Sequence, residues 1–357
     1  AILAANANTG RLDAIQFGIG DSGPQMISPA SALPVIVDPV TIDGSTQAGY
    51  DGMPLVRIDG SGAGPGVDGL RIETSDTIVR AMMVTGFSSV GVRVVNATNA
   101  RVESSYVGTD GTSDLGNGVD GIAIQWGLGN RIDNCVVSGN GSSGVILLST
   151  TDVEVTRSLI GTSADGLLDV GNGIDGIQVR GGSSLRLGTG VAGAGNVIAW
   201  NLQYAINIGS VGTLTTDVLI AGNKIGTDAS ATLALPNDRG VRVSGNTTDI
   251  TIGGEAPDFR NIISANSKEG ISVTDAQRVT ILGNYVGLDV NGESLGNGWY
   301  GITVGDASAA KIGSASNGNV ISGNGFDGLY IYGNATEPVT VHGNFIGTDP
   351  TCLLYTS

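Results

Sequence analysis

Two arginines, Arg180 and Arg242, stand where they could bind an acidic sugar. They are placed by two copies of one short motif, a glycine followed by apolar, variable and apolar residues. Arg242 is the variable residue of "GVRV" at 240–243, and Arg180 directly follows "GIQV" at 176–179. In a strand whose apolar residues point inward, the variable residue points outward. An outward guanidinium suits the carboxylate of an acidic ligand; the alternative is ordinary solvated surface. The predicted outward column holds Arg71, Arg93, Gln178, Arg242, Ser272, Thr303 and Tyr330, and the next one holds Gln125, Arg180 and Tyr332.

The few aromatic residues of the chain group near its C-terminal end. Trp299 and Tyr300 close a loop, and Tyr330 and Tyr332 alternate in the following "GLYIY" segment, just after Asp327. Equivalent positions on neighbouring turns of a repeat would bring these residues together. Because rigid amphipathic rings stack well against sugars, the group predicts a carbohydrate-binding platform. The alternative is a local hydrophobic cover over the loop.

Two carboxylates are candidates for the acid pair of a glycoside hydrolase. Asp120 and Asp175 precede equivalent glycines, and two turns of a stacked repeat would separate them by about 9.6 Å, near the upper limit of about 9.5 Å for such a pair. Asp327 occupies the same place in another copy, and a residue that recurs with the architecture is typical of a turn. The sequence therefore assigns no catalytic residue.

A calcium site is a further candidate, at a corner where aspartates recur. The segment "DVNGE" offers oxygen ligands from Asp289, Asn291 and Glu293, and Ca²⁺ takes six to eight oxygens in flexible geometry. The pattern favours the simpler alternative, in which the aspartate side chain accepts hydrogen bonds from its own backbone turn. Calcium is the one cofactor that the sequence suggests. The recurring aspartates are Asp110, Asp228, Asp289 and Asp349.

Composition limits the classes of function. The 357 residues include 59 glycines, with 40% apolar and 14% charged residues, which is too apolar for a disordered chain. The formal net charge of −16 disfavours binding to nucleic acid. No apolar run is long enough to predict a membrane span. Two cysteines, Cys135 and Cys352, make neither a disulfide framework nor a zinc site.

An internal repeat of about 60 residues organises the chain. One half-unit is seen in "YVGTDGTSDLGNGVDGIAI" at 106–124 and "YVGLDVNGESLGNGWYGITV" at 285–304. A second half-unit, "NVISGN" at 319–324, recurs as "NVIAWN" at 196–201 and "NIISAN" at 261–266. Each half-unit contains three short runs in which β-branched residues alternate with polar ones, the period of a strand with one buried face. Such a period is the signature of a solenoid.

When a strand recurs once in every unit, its simplest partners are its own copies in the neighbouring units, and such pairs are parallel. The sequence therefore predicts an all-β fold, a right-handed single-stranded parallel β-helix of about ten or more coils with three sheets. Ile302 and Val304 would point inward with their equivalents, and glycine and asparagine would occupy the bends. Asparagines at one corner of successive coils could also hydrogen-bond along the stack.

Three regions are predicted. Residues 1–64 would hold an N-terminal cap and irregular first coils, starting with the end of an amphipathic helix in "AILAANAN". Residues 65–350 would hold the regular coils. Residues 351–357, "TCLLYTS", depart from the repeat and suggest translated read-through beyond a truncated gene; the alternative is a genuine C-terminal tail. The abrupt start and the missing signal peptide are expected to reflect the same truncation.

The segments "PVTIDGSTQAGYDGMPLVRIDGSGAG" and "NVISGN" resemble bacterial right-handed parallel β-helix repeat proteins, whose fold is similar to that of pectate lyases. The resemblance implies a secreted or cell-surface location, adhesin-like modules and, as a candidate, polysaccharide chemistry. Two hypotheses follow. The favoured one is a non-catalytic extracellular module for adhesion or spacing, a monomer or part of a multidomain chain, with weak glycan binding near Trp299. The other is a polysaccharide lyase or glycoside hydrolase that acts on acidic polysaccharide.

Overall fold

A computed structural model describes residues 1–209 and 212–347. The predicted tail at 351–357, together with Asp349 and Cys352, lies outside the described residues. The chain divides into two compact units, residues 1–174 and 175–357. Both consist almost entirely of short strands.

The first unit begins with a helix, α1 (Ile2–Ala7), which the side chain of Asn6 holds against the next segment. Asn6 Nδ2 donates to the Val35 carbonyl at 2.7 Å, and the Val37 N–H donates to Asn6 Oδ1 at 3.0 Å. Two 3₁₀ turns follow, Gly44–Thr46 and Gly60–Gly62. No helix among the described residues has both the length and the apolar character that a membrane crossing requires. The strands of this unit are β1 (Asp13–Gln16), β2 (Gln25–Ile27), β3 (Val40–Asp43), β4 (Val56–Asp59), β5 (Leu70–Ile72), β6 (Ile78–Arg80), β7 (Met82–Thr85), β8 (Val92–Val95), β9 (Arg101–Glu103), β10 (Tyr106–Val107), β11 (Ile122–Gln125), β12 (Arg131–Asp133), β13 (Val136–Val137), β14 (Val145–Thr151), β15 (Glu154–Thr156) and β16 (Leu159–Ile160).

The second unit continues with strands of the same kind and one 3₁₀ turn, Pro257–Phe259. Its strands are β17 (Ile177–Leu187), β18 (Val197–Ile198), β19 (Tyr204–Ile208), β20 (Thr215–Ile220), β21 (Lys224–Ile225), β22 (Arg239–Ser244), β23 (Thr247–Gly253), β24 (Ile262–Ile263), β25 (Ile271–Thr274), β26 (Thr280–Leu282), β27 (Tyr285–Val286), β28 (Ile302–Gly305), β29 (Lys311–Ile312), β30 (Val320–Ile321), β31 (Leu329–Tyr332), β32 (Thr340–Val341) and β33 (Phe345–Ile346).

Within each unit the strands pair in parallel with the equivalent strands of the coils before and after, and so form three ladders. In the first unit, ladder A is β5–β8–β11–β14, ladder B is β1–β3–β6–β9–β12–β15, and ladder C is β2–β4–β7–β10–β13–β16. In the second unit, ladder A is β17–β19–β22–β25–β28–β31, ladder B is β17–β20–β23–β26–β29–β32, and ladder C is β18–β21–β24–β27–β30–β33. Long β17 serves ladder A with its first half and ladder B with its second. The prediction of a right-handed parallel β-helix with three sheets is confirmed.

The register of ladder A aligns aliphatic side chains in columns. In the second unit one column pairs Ile206 with Val241, Val241 with Ile271, and Ile271 with Ile302. All four side chains are buried, and each contributes about 1.5–3 kcal/mol before chain entropy is subtracted. The glycine that opens each motif leaves these strands room to stack, and the alternation directs the variable residue outward.

Asparagines form ladders at the corners, as the repeat predicts. In the second unit Asn223, Asn261, Asn284 and Asn319 are fully buried, and each donates from Nδ2 to Oδ1 of the next at 2.9–3.0 Å. Each also donates from Nδ2 to a carbonyl of an earlier coil, as Asn261 does to Ile220 at 2.9 Å. Because the amides satisfy one another, they remain buried without the cost of unpaired polar groups.

Candidate functional site on ladder A of the second unit

The outward side of ladder A carries most of the predicted site residues of the second unit. The column pairs Gln178 with Asn207, and Asn207 with Arg242, and it continues through Ser272, Thr303 and Tyr330. Loop residues just before each strand add further side chains to this surface. We call it the ladder A face, and its members are Asp175, Gln178, Arg180, Tyr204, Asn207, Arg239, Arg242, Lys268, Glu269, Trp299, Tyr300, Phe326, Asp327, Tyr330 and Tyr332.

Aromatic rings line one end of the ladder A face. Tyr300 stacks on Tyr330, with ring centroids 5.2 Å apart and an interplanar angle of 17°, and Tyr330 stacks on Tyr332 at 5.3 Å and 25°. Phe326 is tilted against Tyr300 at 5.5 Å. Tyr330 and Tyr332 remain 42% and 43% exposed. This row of four rings, the aromatic strip, brings together three of the predicted residues and adds Phe326.

The position of Tyr332 depends on a glycine of the preceding coil, Gly305. Gly305 is its partner in the register of β28 and β31, and a Cβ at Gly305 would lie 2.3 Å from the Tyr332 ring. The ring therefore occupies the space that a side chain at Gly305 would need. The other predicted residues of this end are separate from the stack: Trp299 holds the Lys268 ammonium 5.5 Å from its ring centroid, and Asp327 is exposed and accepts from the Gly301 N–H through its backbone carbonyl at 3.1 Å.

A buried carboxylate lies at the other end of the ladder A face. Asp175 is 0% exposed, and it accepts hydrogen bonds from Gln178 Nε2 at 3.0 Å, the Tyr204 N–H at 3.0 Å and Asn207 Nδ2 at 2.9 Å. Burial raises the pKa of Asp175, and this effect outweighs the hydrogen bonds and the charge of Arg180, which act in the opposite direction. A carboxyl group with a raised pKa is better suited to carry a proton near neutral pH.

Arginines surround Tyr204 between the two ends. Arg239 and Arg242 both place their guanidinium groups over its ring, 5.4 and 5.6 Å from the centroid. Arg239 is also ion-paired, with Asp238 at 2.6 Å and Glu269 at 3.0 Å. By contrast, within residues 1–209 and 212–347 no carboxylate lies within 4.0 Å of the nitrogens of Arg180 or Arg242. These two predicted arginines are free to meet an external anion.

The same column in the first unit is built differently. Arg93 donates to both oxygens of Asp68, at 2.7 and 3.1 Å, and Arg71 pairs with Glu73 at 2.6 Å. Further along the column its positions are taken by Ala123 and Ile146, which are buried with Val90 in a small apolar cluster. The outward column predicted from the sequence therefore divides into a paired part and an unpaired part.

Three of the aspartates that precede motif glycines share one structural role. Asp68 accepts from the Val90 N–H at 3.2 Å, Asp120 from the Ser143 N–H at 3.0 Å, and Asp175 from the Tyr204 N–H. Each one caps the backbone of the next coil, as the turn alternative predicts. Asp120 and Asp175 belong to different units, and the hydrolase pair stays a prediction.

In the loop that starts at Asp289, the carboxylate accepts hydrogen bonds from groups of the same loop. Asp289 Oδ1 accepts from the N–H groups of Asn291 and Glu293, both at 2.8 Å, and Oδ2 accepts from Asn291 Nδ2 at 3.2 Å. This is the Asx-turn arrangement. No group of three or more His, Cys, Asp or Glu within the described ranges is placed to hold a metal ion. Calcium binding at Asp289, Asn291 and Glu293 stays a prediction.

Sequence reasoning missed Tyr204 and Asn207. Their strand carries "AINI" in place of the usual glycine motif, so the copy is recognisable only by its spacing. Their partners lie on neighbouring coils, about 30 residues away along the chain. Asn207 Oδ1 lies 3.5 Å from Arg242 Nη1, which links the Asp175 cluster to the unpaired arginine.

The sequence matches no protein-family model and no curated protein. The fold, however, matches solved structures. The A-module of mannuronan C-5 epimerase AlgE4 from Azotobacter vinelandii aligns with a TM-score of 0.54 at 17% identity, over 96% of this chain and 94% of that one. The Dettilon tailspike protein aligns at 0.53 and 18%, over 92% and 63%, and the periplasmic alginate epimerase AlgG at 0.53 and 11%, over 90% and 76%. This chain thus spans less than two thirds of the tailspike chain.

Identities this low show a shared fold and no more. The chain is a right-handed parallel β-helix protein. What this chain binds or catalyses depends on its own residues.

Proposed function

We propose that this chain is an extracellular carbohydrate-binding β-helix module, used for adhesion or spacing, and that a polysaccharide lies along the ladder A face of the second unit. The observation that carries the proposal is the aromatic strip. Tyr300, Tyr330 and Tyr332 present a row of stacked rings with centroids 5.2 and 5.3 Å apart, and a polymer of sugar rings can lie across such a row. Trp299, with Lys268 over its ring, extends the surface.

The fold supports this use. Two of the similar structures are named as epimerases of mannuronan and of alginate, which are polysaccharides, so a face of a β-helix can meet an extended sugar chain. The extracellular location is part of the proposal, since such polymers lie outside the cytoplasm. Large exposed aromatic side chains that stack on one another, rather than being covered by the chain, indicate a binding surface.

The proposal is tested by titrating the chain with a panel of neutral and acidic polysaccharides, followed by calorimetry. The double variant Tyr300→Ala, Tyr330→Ala should weaken the best binder by at least about tenfold, since each aromatic pair contributes about 0.5–1.5 kcal/mol. Trp126→Ala is the matched control, because Trp126 is an aromatic of the first unit that is 60% exposed. Unchanged binding by the double variant, or no binding to any polymer by the folded chain, would overturn the proposal.

A second candidate is a polysaccharide lyase or glycoside hydrolase acting on acidic polysaccharide. The observation that favours it is the buried Asp175 carboxyl, with its raised pKa, beside Arg180 and the unpaired Arg242. In a lyase the arginines would neutralise the uronate carboxylate and Asp175 would exchange a proton with the sugar. New double bonds or reducing ends, released from pectate or alginate by the wild type and not by Asp175→Asn, would establish it. A folded chain that produces neither would exclude it.

A further inference from the structure

We propose a second ligand site in the second unit, on ladder C rather than ladder A, which binds a compact organic monocarboxylate about the size of one sugar ring. The site is a cavity of about 290 Å³ bordered by the loops at 188–195 and 254–260. Lys224 of β21 and Arg260 line it together with apolar side chains. The inference is independent of the proposed function, because it concerns other residues.

The cavity is held open by a fixed contact between its two loops. The Phe259 ring fills the space above Gly190 and Gly254, where a Cβ would approach ring atoms to 1.9 and 2.7 Å respectively. The Gly222 N–H, on the floor of the cavity, donates to the Phe259 carbonyl at 3.1 Å. The ring and the hydrogen bond fix the 254–260 loop on both sides, so the cavity is preformed and a ligand does not have to order it.

Both cations of the cavity have hydrogen-bonding capacity left. The Arg260 guanidinium carbon lies over the Tyr285 ring, 4.2 Å from the centroid, and its Nε–H donates to the Gly283 carbonyl at 3.1 Å, so its outer nitrogens remain available. Lys224 is half-buried between Val197 and Ile262 in the register of ladder C. Within the ranges that the structure describes, no carboxylate lies within 4.0 Å of its ammonium nitrogen.

The residues that line the cavity indicate which class of ligand it can bind. The formal charge is +1, from Lys224, Arg260 and the exposed Asp258, so a single carboxylate neutralises the site and a dianion does not. Val197 and Ile262 offer apolar contact to the C–H face of a ring. The volume lies at the lower limit of about 300 Å³ for drug-sized ligands, which suits a ligand of one ring.

The test uses sodium D-glucuronate as the probe, with calorimetry or ligand-observed NMR on the whole chain. Saturable binding is expected, and Lys224→Met should weaken it by at least about tenfold, which corresponds to about 1.4 kcal/mol. Lys224→Arg should retain it, and D-glucose, which has the ring without the charge, should not bind. If Lys224→Met fails to fold, Lys224→Gln replaces it.

Three results would overturn the site: no saturable glucuronate binding by the folded wild type, equal binding by Lys224→Met, or inorganic phosphate binding as tightly as glucuronate. The Tyr300→Ala, Tyr330→Ala variant separates the two proposals. It should lose the polysaccharide and keep glucuronate, since none of its altered residues lines the cavity.

Discussion

The two units use the same repeat, yet their outward surfaces on ladder A differ in what the charges do. In the first unit Arg93 and Arg71 are held by Asp68 and Glu73, and the rest of the column is apolar. In the second unit Arg242 lies over an aromatic ring with no carboxylate partner among the described residues, and aromatic side chains continue the surface. The same backbone fold thus places outward arginines in two different environments. Arg93 is ion-paired with Asp68 of the previous coil and Arg71 with Glu73 just after its own strand, whereas within the described ranges Arg242 has only the Tyr204 ring and the Asn207 amide as neighbours of this kind.

The interiors of the two units, by contrast, are alike. Asn140 in the first unit accepts from Asn117 Nδ2 at 3.0 Å and donates to Asn172 Oδ1 at 3.0 Å, as Asn261 does with its own neighbours. The asparagine ladder is therefore common to both units, whereas the environments of the outward arginines differ.

The largest effect is expected from the asparagine ladders. Asn140→Ala and Asn261→Ala should each lower the free energy of unfolding by about 3 kcal/mol, because each leaves buried amide and carbonyl groups unpaired at about 1–3 kcal/mol apiece. Urea denaturation of both variants measures it. Asn246→Ala, at an exposed position, is the control. A loss in one unit without a similar loss in the other would contradict the view that the interiors are equivalent.

The next largest effect on stability is expected from substituting Arg93, and substituting Arg242 should have a different outcome. Arg93→Met should cost about 2 kcal/mol of stability, because it removes the nearer of the two cations of the mostly buried Asp68 carboxylate and leaves only Arg71, at 3.6 Å. It should leave polysaccharide binding unchanged. Arg242→Met should change stability by less than about 0.5 kcal/mol and weaken binding of an acidic polymer. Methionine keeps much of the apolar stem in both variants.

Denaturation and binding are measured on both arginine variants under identical salt conditions. The comparison between the units fails if Arg242→Met is as destabilising as Arg93→Met, since Arg242 would then be a structural residue. It fails equally if Arg93→Met weakens binding while the chain stays folded.

These contrasts show where sequence reasoning works and where it stops. The alternation in "GVRV" and the recurrence of Asn and Gly determine the fold, because strand period and bend chemistry are local properties. The spacing of Tyr300, Tyr330 and Tyr332 predicts that these three rings lie together, whereas Trp299 lies outside their stack. Whether an arginine is paired was not predictable, since "GVRV" occurs at both Arg93 and Arg242. The outcome depends on Asp68, which reaches Arg93 from a loop of the previous coil.

Asp175 tests the electrostatics of the ladder A face. Because its pKa is raised above the ordinary value of 3.8, the native state keeps a proton that the unfolded state has already released. Its contribution to stability is therefore complete below about pH 4 and is lost as the pH rises through the native pKa. Relative to Asp175→Asn, the wild type should become less stable as the pH rises across that window, and the difference should be constant above it.

The matched variant for this titration is Arg180→Gln. The charge of Arg180 lowers the pKa of Asp175, so its removal should extend the decline to higher pH. Urea midpoints measured from pH 3 to pH 8 for the three proteins provide the comparison. A difference between wild type and Asp175→Asn that rises with pH would show that the Asp175 carboxyl is stabilised in its ionised form.

The smallest effect concerns calcium at the loop of Asp289, Asn291 and Glu293. Both Asp289 oxygens already accept hydrogen bonds, so an ion would have to replace them or share them. A few millimolar Ca²⁺ should therefore raise the free energy of unfolding by less than about 0.5 kcal/mol, the gain expected when the ion concentration is close to its dissociation constant. Asp289→Asn keeps an acceptor for the two backbone N–H groups and removes the charge, which makes it the matched control. A larger rise that Asp289→Asn abolishes, and that Mg²⁺ does not reproduce, would establish a calcium site and show that the recurring aspartate serves an ion as well as a turn.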